Sequence, residues 1–149
     1  MRRLVLALSA VVLAGCSKPE APPAEPPAPP PAPTLNLADL AGTWNMRTMP
    51  EGSDSTLVTY TMTLTGTTEG WSLNIPGRDP LPMTATVSGD SVITTVGPYE
   101  SMLRKGVQVS TTSVVRLVGG RLVGTTMARY STTGADSVVR LRMEGTKNP

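Results

Sequence analysis

From residue 55 to residue 145, apolar side chains recur at every second position, and that period decides the fold class. Val58, Tyr60, Met62 and Leu64 alternate with Thr59, Thr61, Thr63 and Thr65. Trp71, Leu73 and Ile75 alternate with Ser72 and Asn74; Met83, Ala85 and Val87 with Thr84, Thr86 and Ser88; Val139, Leu141 and Met143 with Arg140, Arg142 and Glu144. Val107, Val109, Val115 and Leu117 share one parity, with Thr111 and Ser113 between them. A period of two puts one set of side chains on each face of a strand, whereas a helix needs 3.6. Threonine on the second face suits a solvated pleat, being both β-branched and polar.

Turn signals cut this pattern at short intervals: Pro76-Gly77, Ser88-Gly89-Asp90, Gly97-Pro98, Arg104-Lys105-Gly106, Gly119-Gly120 and Thr133-Gly134-Ala135-Asp136 among them. The runs between them predict about eight strands: 43–50, 55–65, 70–75, 82–88, 91–97, 107–118, 121–131 and 136–145. Short connections pair sequence neighbours as hairpins. A closed up-and-down antiparallel barrel removes every exposed edge, while a sandwich needs longer crossovers than most of these loops supply. The segment 97–106 is open between a strand extension and a helical turn. Leu35 to Leu40 predicts a short helical lead-in that ends at Gly42.

Ahead of this domain the composition changes twice. Arg2 and Arg3 precede an apolar run, Leu4 to Leu13, that is far shorter than the ~20 residues a membrane-spanning helix needs. The one cysteine of the chain, Cys16, follows Leu13-Ala14-Gly15. Residues 17–34 are mostly Pro and Ala, a composition that favours extended polyproline II at about 3.1 Å per residue, hence a spacer of roughly 50 Å. The expected division is residues 1–15, residues 16–36 and a domain over residues 37–149.

The order of basic start, apolar run and Leu13-Ala14-Gly15-Cys16 resembles the bacterial lipobox. The resemblance implies recognition of Leu13, Ala14 and Gly15 by a signal peptidase, cleavage before Cys16, and acylation of Cys16 with diacylglycerol and an amide-linked chain such as palmitate. Several acyl chains anchor stably, at about 0.8 kcal/mol per buried CH₂. Ser17 in place of an aspartate implies sorting to the outer membrane, facing the periplasm.

Leu40-Ala41-Gly42-Thr43-Trp44 resembles the G-x-W opening of the calycin superfamily, which includes lipocalins, fatty-acid-binding proteins and avidins. The resemblance implies that Trp44 packs across a barrel end beneath a basic residue of the last strand, with Arg140 and Arg142 as the alternatives. It also implies an interior that either is filled or holds one small hydrophobic ligand, with Tyr60, Met62, Trp71 and Tyr99 as candidate contacts. The same opening resembles periplasmic metalloprotease inhibitors, whose solid barrels bind protein and typically carry a disulfide that this domain cannot form.

Other functions find little support. The chain has no histidine, so the commonest general base is absent, and no G-x-S-x-G occurs. No enzymatic activity, metal or cofactor is expected. The segment after residue 36 keeps ten basic and nine acidic residues with no basic stripe, which argues against nucleic acid as a partner. The expected partners are a membrane through the acyl chains and either a small hydrophobic ligand or an envelope protein.

Overall fold

A computed structural model describes residues 34–149. Leu37–Leu40 forms a single helical turn, α1, whose first amides are capped by Asn36: its side-chain oxygen accepts from Ala38 N at 3.1 Å. Eight strands follow: β1 Gly42–Pro50, β2 Val58–Leu64, β3 Trp71–Asn74, β4 Leu81–Ser88, β5 Ser91–Glu100, β6 Gln108–Val118, β7 Arg121–Tyr130 and β8 Val138–Lys147. Each pairs antiparallel with its sequence neighbours, and β1 pairs with β8, so the sheet closes on itself in simple meander order. The expected all-β, eight-stranded up-and-down barrel is the fold observed, with no sandwich crossover among the described residues.

The two ends of the barrel differ. At one end the connections include the two tight turns Gly89-Asp90 and Gly119-Gly120, and α1 lies across the opening with Leu40 fully buried. At the other end, the mouth, all four loops are longer than those two turns: 51–57, 75–80, 101–107 and 131–137. Arginines tie these loops together. Arg142 Nη2 donates to Ser53 O at 2.9 Å and to Asp54 at 2.6 Å. Arg78 donates to Glu100 O, and Arg104 Nη1 donates to Asp136 O at 2.9 Å while its guanidinium sits 4.0 Å above the Tyr130 ring.

The segment 97–106 settles as a strand extension followed by a loop. β5 runs on to Glu100 through a bulge: Val96 pairs with Thr111 and Tyr99 with Val109, so two residues of β5 stand opposite Ser110 alone. The extra residue changes parity and turns Tyr99 inward to join the buried side chains. Gly97 makes this possible. Its φ is +114°, and a Cβ there would stand 2.8 Å from Val109 O and 2.9 Å from Ser110 Cα.

The closed half of the interior is packed with Leu40, Trp44, Met46, Met62, Leu64, Trp71, Val92, Val115 and Leu122, all at most 2% exposed. Methionine, unbranched and adaptable, fills gaps that phenylalanine would take elsewhere. Towards the mouth the lining changes. Thr94, Ser113 and Thr126 lie in one cross-strand row and are buried, with Ser113 and Thr126 hydrogen-bonded to each other. The interior is therefore not uniformly apolar, as the alternation of β2, β3 and β8 alone implies: its upper half carries hydroxyls.

Candidate functional site: barrel interior and outer cleft

Both tryptophans hold the closed end by the same device. Trp44 Nε1 donates to Leu40 O at 2.7 Å and Trp71 Nε1 donates to Thr67 O at 2.7 Å, each reaching back four residues. Each ring is 1% exposed, so a buried indole N–H is satisfied while its ring fills the core. Trp44 thus occupies the barrel end, where the G-x-W resemblance puts it.

The cation beside Trp44 is Lys147, with Nζ 5.7 Å from the ring centroid. This corrects the expectation of Arg140 or Arg142. In an antiparallel pair the last residues of β8 meet the first of β1, and the register pairs Trp44 with Lys147. Arg142 pairs with Met49, five residues along β8 and therefore about 16 Å away at 3.3 Å per residue. It serves the mouth instead, where its buried Nε has no hydrogen-bond partner. Arg140 pairs with Met127 on the outer surface. Gly42 leaves room for the Lys147 stem, since a Cβ there would lie 2.8 Å from Lys147 Cε.

Tyr60, Met62 and Tyr99 do face one space, a cavity beneath the mouth, but Trp71 does not line it. Tyr130, Thr48 and the hydroxyl row line it as well, and Met102 and Leu103 of the 101–107 loop roof it. The cavity measures about 60 Å³. Drug-sized ligands occupy pockets of about 300–1,000 Å³, and an acyl chain does not fit this space. Thr48 Oγ1 approaches Tyr60 Oη at 3.5 Å, a long contact. The 101–107 loop is held from below, where Ser101 Oγ accepts from Leu103 N and Arg104 N at 3.0 Å each.

Burial pushes the Tyr60 phenol up to about 12, the Thr48 hydroxyl opposing this only in part, and burial raises Tyr99 too. Tyrosine in an unfolded chain ionises near pH 10. The stability that a neutral, buried phenol contributes is therefore intact below about pH 10 and lost as the pH rises towards 12. Alkaline titration followed by phenolate absorbance and far-ultraviolet circular dichroism is expected to show late phenolate formation coinciding with loss of the barrel. Tyr60→Phe should move that unfolding midpoint to higher pH; an unchanged midpoint would show that Tyr60 does not limit alkaline stability.

A larger concavity lies on the outer wall. It measures about 500 Å³ and crosses β8, β1, β2 and the end of β3. Its charged groups are Arg47, Arg121 and Glu144. Glu144 Oε2 accepts from Arg47 Nη2 at 2.7 Å and from Arg121 Nη2 at 3.3 Å. The Arg47 hydrogen bond, aided by the positive charges of Arg47, Arg121 and Arg142 against the cost of burial, holds the Glu144 carboxyl below its usual range. The alternation turns Glu144 outward but does not pair it with Arg47, because only the register between first and last strands brings them opposite.

Leu13, Ala14, Gly15 and Cys16 lie outside the described residues. The fold and its interior define an eight-stranded, calycin-like up-and-down barrel with a nearly filled core. Comparison with protein families, with curated proteins and with solved structures finds no match to this chain.

Proposed function

We propose that this chain is a bacterial envelope lipoprotein, cut before Cys16, acylated there and held at the outer membrane facing the periplasm, and that its barrel is a protein-binding module. The observation that carries the second part is the interior: about 60 Å³ of space, interrupted by hydroxyls, suits neither an acyl chain nor another hydrophobic molecule of that size. The readings of a hollow carrier and a solid scaffold share one fold, and the packed closed half together with the arginine-tied mouth favours the scaffold. The anchor rests on Leu13-Ala14-Gly15-Cys16 and the Pro/Ala segment behind it.

Native mass spectrometry of the detergent-extracted protein tests both parts. The expected mass is that of residues 16–149 plus diacylglycerol and one amide-linked acyl chain, with no non-covalent lipid retained. A stoichiometric lipid released on denaturation would overturn the solid-scaffold reading. A mature chain that keeps residues 1–15 without acyl groups would overturn the anchor.

A further inference from the structure

We propose that the outer cleft receives an extended acidic segment of a partner protein, with a carboxylate on the remaining donors of Arg47 and Arg121 beside Glu144 and an apolar side chain at the Pro76 end. The inference rests on the protein-binding reading and names the chemistry of the partner.

Three observations carry it. The first is shape. β3 ends at Asn74, and the chain turns away at Ile75 and Pro76, so residues 58–60 of β2 pair with β1 but have no β3 partner. The wall is notched there, and the notch opens into a concavity of about 500 Å³, within the range of ligand pockets.

The second is length. Asn74, Thr61, Asn45, Thr146 and Arg121 follow one another in register across five adjacent strands. Four inter-strand steps of about 4.8 Å span roughly 19 Å, the reach of about six extended residues at 3.3 Å each. A free dicarboxylate is far shorter than this row.

The third is charge. Two guanidiniums share one carboxylate, leaving the cleft a net positive charge. Among the described residues, Glu144 is the only hydrogen-bond partner of either guanidinium. Each guanidinium has five N–H donors in a planar fork that fits a carboxylate. Arg47 and Arg121 are 42% and 53% exposed at their side chains, so these donors are accessible, and Glu144 holds both in place without neutralising them. At the other end the exposed Pro76 offers apolar surface beside Tyr60, with Ile75 buried behind it.

Fluorescence anisotropy with the full-length, detergent-extracted protein tests the proposal. The probe is a labelled hexapeptide with leucine at one end and two glutamates at the other. Saturable binding is expected, weakened about tenfold or more by Arg47→Gln with Arg121→Gln and equally by glutamine in place of the peptide's glutamates. Glu144→Gln should tighten binding several-fold by releasing both guanidiniums, a gain that a merely structural role for Glu144 would not produce. Arg140→Gln, on another part of the outer wall, should leave binding unchanged.

Absence of saturable binding, indifference to the two arginines, or equal competition by succinate would each overturn the acidic-segment assignment. If that happens while mass spectrometry still shows a lipid-free barrel, the assignment alone fails. A retained lipid would remove the reading on which it rests.

Discussion

Replacing Trp44 by alanine is expected to cost the barrel about 3–5 kcal/mol, the range for truncating a buried aromatic side chain. A domain of this size is stable by only about 5–15 kcal/mol, so the variant should unfold at a much lower denaturant concentration or fail to fold. The loss has two parts. Removing the ring leaves a cavity beneath α1. Removing the indole N–H leaves Leu40 O, at the end of α1, without its 2.7 Å donor. Trp44→Phe separates them, since it keeps most of the ring and should cost only about 1–3 kcal/mol, chiefly through the unsatisfied carbonyl. Urea unfolding monitored by fluorescence suits the measurement, because Trp71 remains as the sole reporter in both variants. Equal midpoints for wild type and Trp44→Ala would show that the barrel end is not held by this residue.

Gly97→Ala is the second large expected effect, at about 2–5 kcal/mol. A left-handed or otherwise positive φ costs an L-residue about 1–2 kcal/mol, and forcing a methyl group against backbone adds about 1–3 kcal/mol. Here the obstacles are Val109 O at 2.8 Å and Ser110 Cα at 2.9 Å, main-chain atoms of the paired strand that have no rotamer by which to yield. Relief requires the bulge to flatten. Flattening returns β5 to strict alternation, and Tyr99 then faces solvent. The variant should therefore show two linked changes: lower stability to denaturant, and a Tyr99 phenol that titrates closer to its ordinary range. Destabilisation with an unaltered alkaline titration would mean that strain is absorbed without moving Tyr99.

The strands were readable because threonine and aliphatic residues alternate cleanly and glycine-rich turns bound them. The eight runs predicted by that pattern correspond to β1–β8. What escaped the pattern has a common cause: it depends on register, which no single strand contains. The alternation in 136–145 stops short of Lys147, so the residue that meets Trp44 lies past the end of the predicted strand. Tyr99 lies beyond a bulge, and a one-residue insertion inverts every later side chain on that strand. The hydroxyl row was half visible, since Ser113 falls on the same parity as Val109 and Val115. Its continuation through Thr94 and Thr126 required the pairing of β5, β6 and β7. The outer cleft shows the same dependence, because Arg47 and Glu144 stand 97 residues apart along the chain.

The seam between β1 and β8 joins Trp44–Pro50 to Leu141–Lys147. It does for this cysteine-free domain what a covalent staple does for many exported ones, since the first and final segments hold each other. The ring cannot shut until β8, Val138–Lys147, is in place, and a sheet without it has two open flanks. Docking of β8 covers both of those flanks at once, because it pairs with β7 on one side and β1 on the other.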